Sequence, residues 1–205
     1  MIKDNKNGMT ICVDMDDTIE NLCEAWVSAL NKKFNKNHTI DEVKSWNLGD
    51  LYTDLTKKQI ASVLFEPGFW ETVKPKRDAI FYLKKLQEEG HNIYICTSSH
   101  YNTCAAKMTA IIERFFPFID WEHIIIATNK QMIKCDILVD DGPHNLRFGE
   151  YIPILFDANH NKSFKNEDYG IQRVHNWGEA YNLIKELYNI KFNYDLWLKN
   201  NLNIK

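Results

Sequence analysis

The chain has 205 residues, 44% apolar and 26% charged, with a formal net charge of −3. That length suits one domain with room for a small insertion, and the composition can bury a real core. The acidic balance supplies no broad basic field, so no nucleic-acid partner is expected, and no apolar segment is long enough to cross a bilayer.

Residues Met1 to Asn7 are polar and lack the apolar stretch of a secretory signal, so cytoplasmic residence is expected. The first apolar run, Met9-Thr10-Ile11-Cys12-Val13, is short, partly β-branched and ended by acids, which predicts a buried strand carrying Asp14 to Thr18 at its C-terminal end. Leu22, Ala25, Trp26, Ala29 and Leu30 then recur at helical spacing. From about residue 36 to 72 the chain is polar and aromatic, and short helices are expected there, one of them over Leu55 to Phe65. Pro75 fits a first helical position, with the apolar stripe Ala79, Ile80, Leu83, Leu86 behind it and Gly90 as the stop.

Next come a strand over Asn92 to Thr97, a helix over Cys104 to Phe116, and strands over Ile124 to Ala127 and Ile137 to Val139. Strands around Ile152 to Phe156 and Gln172 to Val174 precede a last helix over Gly178 to Tyr188 and an Asn- and Lys-rich tail. Strands without a polar face, alternating with helices, predict an α/β fold: a three-layer, Rossmann-like parallel sheet flanked by helices. The long stretch between the first strand and the Pro75 helix exceeds any simple crossover and predicts a helical cap over the strand ends, where such sheets bind ligands. The expected organisation is a catalytic core over 1–17 and 73–190, a small helical cap over 18–72, and a C-terminal tail over 191–205.

The five cysteines, Cys12, Cys23, Cys96, Cys104 and Cys135, include no C-x-x-C pair, so neither a zinc site nor a disulfide framework is expected. The histidines show no ligand spacing and are expected to be solvated. Chemistry concentrates instead at the strand ends, in Asp14-Met15-Asp16-Asp17-Thr18, Thr97-Ser98-Ser99, Lys107 and Asp140-Asp141-Gly142-Pro143. Converging carboxylates repel unless a cation neutralises them, and oxygen donors of this kind suit Mg²⁺. Two acids two positions apart at a strand end can divide labour, one attacking phosphorus and the other moving the proton.

This ordered set resembles the haloacid dehalogenase (HAD) superfamily, which reads D-x-D-x-[TV] after the first strand, Ser/Thr after the second, a lysine, and paired acids after the fourth. The second Asp, at position 16, points to the phosphatases among them. Within the superfamily the chain resembles the 5′(3′)-deoxyribonucleotidases, on Asp14-Met15-Asp16-Asp17, Glu66-Pro67-Gly68-Phe69-Trp70, Ile95-Cys96-Thr97-Ser98 and Asp136 to Pro143.

The resemblance implies a HAD-like fold, a Mg²⁺ cofactor, and hydrolysis of nucleoside monophosphates through an aspartyl-phosphate. It implies that Asp14 is nucleophile and metal ligand. Asp16 would be acid/base, with its carbonyl on the metal. Asp140 would ligate the metal, Asp141 would ligate it through water or orient a ligand, and Thr97 with the Ser98 amide, beside Ser99, would hold phosphoryl oxygens. Lys107 is favoured as the lysine that offsets charge on Asp14, with Lys130 and Lys134 as competitors. Among the cap aromatics Trp26, Trp46, Phe65, Phe69 and Trp70, the candidates for facing substrate are Trp46, Phe69 and Trp70, against their serving as the cap's own core. A phosphatase for another small metabolite and a low-turnover metal- and phosphate-binding regulator stand as alternatives. Whether the chain forms a homodimer is open.

Overall fold

The computed structural model describes residues 8–202, with side chains through residue 195. Six strands, β1 (Thr10–Val13), β2 (Asn92–Thr97), β3 (Ile124–Ile126), β4 (Ile137–Asp140), β5 (Ile152–Phe156) and β6 (Gln172–Val174), form one sheet in the order β3-β2-β1-β4-β5-β6. Every neighbouring pair is parallel. The direction of winding reverses between β1 and β4, so the crevice outside their C-terminal ends is the natural place for a ligand.

Successive side chains of a strand point to opposite faces, and both faces of this sheet are covered. Ile11, Val13, Ile93, Ile95, Ile137, Val139, Ile154 and Phe156 enter one buried apolar cluster, while Cys12, Cys96, Leu138 and Leu155 enter the other. The cysteines of these strands therefore act as small buried hydrophobes, and all five in the chain are free thiols.

The inserted segment carries α1 (Leu22–Phe34), α2 (Lys57–Ser62) and α3 (Phe69–Thr72), joined by short 3-10 turns. Its apolar residues Val27, Leu30, Val43, Tyr52 and Val63 belong to the same cluster as the first sheet face, so cap and sheet share continuous packing. The two ends of the insertion are stitched together: Asn21 N–H donates to the Lys74 carbonyl at 2.9 Å and Lys76 N–H to that of Ile19 at 2.8 Å.

That stitching corrects the reading of Pro75. It lies opposite Glu20 in a β-bridge, and helix α4 (Ala79–Glu88) begins only after Asp78 adopts φ 61°. The helix after β2 also differs. It begins at Tyr101, runs as α5 (Tyr101–Lys107), and widens into a π-helical segment over Met108–Glu113. Such local widenings recur at functional sites, and here the change falls at Lys107. The final helix α6 (Trp177–Leu202) extends well past Tyr188. No Gly or Pro interrupts residues 179–202, and Tyr188 packs its ring against His91, so nothing breaks the helix where its sequence turns polar. Residues 1–7 and 203–205, which include the ends of the expected core and tail, lie outside the described residues. Among the described residues no helix is long and apolar enough to cross a membrane.

Candidate active site

The ladder between β1 and β4 runs one residue past the strand: Asp14 N–H donates to the Val139 carbonyl at 2.9 Å. This fixes the Asp14 side chain at the mouth of the crevice, 6% exposed. The chain then turns tightly, with the amides of Thr18, Ile19 and Glu20 all directed to the Met15 carbonyl. The turn brings Asp14 and Asp16 to one cavity although an extended chain would separate them. Asp17 takes φ 51° and turns away, accepting from Cys23 N–H at 3.2 Å at the start of α1. Its work is that of a helix cap; burial pushes its carboxyl up to about 7, against the pull of Lys76.

From β4 come Asp140, fully buried, and Asp141, 4% exposed. The Asp140 carboxylate accepts from Gly142 N–H at 2.7 Å and from the Asn145 amide at 3.0 Å. Gly142 keeps that approach uncrowded, since a Cβ there would lie 3.0 Å from Asp140 Oδ1 and 2.9 Å from the His144 ring. Carboxylate oxygens of Asp14, Asp140 and Asp141 all lie within 4.8 Å of one another. Their crowding shows in their protonation. Asp14 is pushed up to about 6, by burial first and then by Asp140 and Asp16, with Lys130 opposing. Asp141 is driven well above the carboxylate range by burial and by Asp14 and Asp140.

The lysine in contact with Asp14 is neither Lys107 nor Lys134. Lys130, 2% exposed on the 3-10 turn Lys130–Met132, places Nζ 2.5 Å from Asp14 Oδ1 and 2.5 Å from Asp140 Oδ2. Lys107 lies one position over: its Nζ is 2.6 Å from Asp16 Oδ1 and donates to Thr97 Oγ1 at 2.8 Å. It lowers the Asp14 carboxyl too, but ranks behind Lys130 in doing so. Lys134 is exposed. Each of the paired acids thus has its own buried ammonium.

These groups open onto a cavity of about 280 Å³ lined by Asp14, Asp16, Trp46, Ser98, Lys130 and Asp141, among others. Ser98 reaches it, its hydroxyl 3.3 Å from that of Thr128. Thr97 is buried behind, on Lys107, and the Ser99 hydroxyl is buried without a hydrogen-bond partner. Of the cap aromatics Trp46 lines the cavity and stays 44% exposed. Phe69 and Trp70 pack edge-to-face with ring centroids 5.3 Å apart, each 5% exposed. The Trp70 indole donates to the Leu64 carbonyl at 3.1 Å, and Phe69 lines a separate groove of about 780 Å³ beside α1, which none of the motif acids reaches. Phe69 serves the cap's own packing, while the Trp70 ring also lies against the Lys107 ammonium, 5.4 Å from its centroid.

The reading of the histidines as solvated fails at His91 and His123, both buried, and at His160, whose side chain is 4% exposed with Nε2 2.6 Å from Asp141 Oδ2. Burial holds His160 down to about 4. Local spacing carries no signal for it, because His160 arrives from the loop after β5.

Glu20 is fully buried, its carboxyl set against that of Asp16. Burial, and then the Asp16 charge, drive it well above the carboxylate range. A buried neutral carboxyl and a carboxamide have the same shape. Glu20→Gln is therefore expected to leave thermal unfolding and turnover unchanged; a marked loss of either would mean that the charge, not the shape, is used.

Three buried carboxyl groups crowd around one buried ammonium that touches only two of them, and hard oxygen donors at this spacing fit a divalent cation. Asp14, Asp140 and Asp141 are the side chains placed to hold it.

Fold comparison agrees with this geometry. A haloacid dehalogenase-like hydrolase from Streptococcus pneumoniae superposes with a TM-score of 0.59 at 12% identity, covering 85% of this chain and 97% of that one. A conserved haloacid dehalogenase-like protein from Agrobacterium tumefaciens gives 0.60 at 15% identity, over 88% and 99%. The architecture is thus the HAD-like α/β fold. Residues 8–190 match the family described as 5′ nucleotidase, deoxy (pyrimidine), cytosolic type C protein, and the chain belongs to this family of phosphoric monoester hydrolases. It is 34% identical over 181 residues to a 5′(3′)-deoxyribonucleotidase from Clostridium acetobutylicum, covering 88% of this chain and 97% of the relative. A 5′(3′)-deoxyribonucleotidase from Bacillus subtilis is 30% identical over 171 residues, covering 82% and 94%.

Proposed function

We propose that this chain hydrolyses nucleoside monophosphates, deoxyribonucleotides among them, with Mg²⁺ and through a phosphorylated Asp14. The carrying observation is the division of Asp14 and Asp16 between two buried lysines at the mouth of one cavity. Membership of the family and the names of its relatives support the nucleotide as substrate.

Asp14 attacks phosphorus through a carboxylate oxygen as the bond from phosphorus to the nucleoside oxygen breaks. Asp16 delivers a proton to that leaving oxygen. Asp16 then takes a proton from the incoming water, whose oxygen displaces Asp14 and releases phosphate. Lys130 keeps Asp14 deprotonated in spite of its burial, and Lys107 orients Asp16 and the Thr97 hydroxyl. Ser98 and Thr128 stand where phosphoryl oxygens can be bound, and Trp46 offers a ring face to a base. Mg²⁺ held by Asp14, Asp140 and Asp141 would stabilise the charge on the transferring group. A cavity of this size suits a compact monoester better than a polymer end.

The test is a panel of ribo- and deoxyribonucleoside monophosphates, sugar phosphates and phosphoglycolate, ranked by kcat/KM with Mg²⁺. Nucleotides should lead, and a panel led by sugar phosphates overturns the substrate. Chelation of divalent ions is expected to abolish turnover and lower the unfolding midpoint, with both restored by added Mg²⁺. Activity that survives thorough chelation would remove the metal from the scheme.

A further inference from the structure

The loop that follows β5 touches both the cap and the acid cluster, and no sequence motif marks it. Asn159 donates its side-chain amide to the Ile40 carbonyl in the cap at 2.8 Å. The His160 ring meets Trp46 edge-on, with centroids 5.0 Å apart, while its Nε2 lies 2.6 Å from Asp141 Oδ2. Asn161 donates to the carbonyls of Asp141 and Phe156, each at 2.8 Å. The base of the loop is held rigidly. Arg173 on β6 reaches Asp157 Oδ1 at 2.6 Å and Asn161 Oδ1 at 2.8 Å, and Asp157 N–H donates to the Val174 carbonyl at 2.8 Å.

We propose that His160 is a positioning residue that fixes the Asp141 carboxylate toward the divalent ion and ties its orientation to the cap through Trp46. This rests on the reading of Asp141 as a metal ligand. Asp141 has its backbone carbonyl anchored by Asn161, and its Oδ2 lies against His160 Nε2 at 2.6 Å, a close contact off the line of a hydrogen bond. One carboxylate oxygen of Asp141 lies within 4.8 Å of an oxygen of Asp14 and of Asp140, the other two members of the cluster. Groups that orient a metal-binding carboxylate in this way commonly change metal affinity by about 10–100-fold when removed. The ring also has a second neighbour: the same imidazole that holds Asp141 abuts the one cap tryptophan lining the cavity. A base stacking on Trp46 and a cation bound at Asp141 therefore press on the two sides of one side chain. Whatever factor one changes the other by holds in both directions, since coupling of two sites is reciprocal.

The test is calorimetric titration of MgCl₂ into the parent protein and into His160→Ala, His160→Gln, Trp46→Ala and Asp141→Asn, with folding checked by circular dichroism. His160→Ala is expected to weaken Mg²⁺ binding at least about tenfold. His160→Gln, which keeps a donor near the carboxylate, should recover most of that loss. Trp46→Ala should weaken Mg²⁺ by a smaller factor, and combining it with His160→Ala should add little. If His160→Ala does not fold, the Gln variant and the Trp46→Ala arm carry the test.

Unchanged Mg²⁺ affinity in folded His160→Ala overturns the proposal, as does an equal loss in the Ala and Gln variants, which would reduce His160 to packing. The Asp141→Asn arm separates the two readings. If it loses Mg²⁺ while His160→Ala does not, only the role of His160 falls. If Asp141→Asn also binds normally, the assignment of Asp141 to the metal falls with it.

Discussion

Asp14→Asn is expected to lower turnover by roughly 10⁴-fold or more, the scale seen when a covalent nucleophile is removed, with the fold intact. The contact that places residue 14 is its backbone N–H on the Val139 carbonyl, which the substitution does not touch. The amide oxygen can still accept from Lys130, but it cannot form an acyl-phosphate. Burial already opposes the Asp14 charge, as its rise to about 6 shows, so the neutral variant should unfold at or above the parent temperature. Single-turnover assays with a nucleoside monophosphate, together with thermal melts, check both halves. Residual activity within about tenfold of the parent would mean that another group attacks phosphorus.

Lys130→Met is expected to be the most destabilising single change in the site. The ammonium is 2% exposed and lies 2.5 Å from both Asp14 and Asp140. Removing it leaves two buried carboxylates uncompensated, a loss of about 3–5 kcal/mol for buried pairs of this kind. Urea unfolding in the presence of a chelator should show the full deficit. Added Mg²⁺ should narrow it, because a divalent ion at the same acids supplies positive charge in place of the ammonium. Lys134→Ala, at an exposed position, is the control and should stay within about 0.5 kcal/mol of the parent. The opposite ranking of the two lysines would reverse the assignment.

The parts of the site that lie along one strand end were legible from the sequence. Asp14 and Asp16, and likewise Asp140 and Asp141, follow apolar runs that can only be buried strands, so their common location follows from a parallel sheet. The strands over Asn92–Thr97, Ile152–Phe156 and Gln172–Val174 stand where expected.

What was illegible depends on the path of loops. Lys107, Lys130 and Lys134 look alike in sequence. Their burial is decided by whether α5 or the 3-10 turn before β4 turns inward, and both Lys107 and Lys130 do. Trp46 and Trp70 are equally aromatic, but α3 buries Trp70 against the Lys107 ammonium while Trp46 stays at the cavity. His160 carries no local signal, because its neighbour Asp141 comes from a different strand. The last helix runs on through a polar stretch because no Gly or Pro breaks it.

The paired entry and exit strokes at Ile19–Asn21 and Lys74–Lys76 have a consequence for the length of the insertion. Because the chain leaves and rejoins the sheet at one point, the intervening stretch has its ends already held together. The entropic cost of closing such an excursion grows only slowly with its length. An extension between these two anchor points is thus expected to cost little in closure while leaving the tips of β1 and β4 where they are.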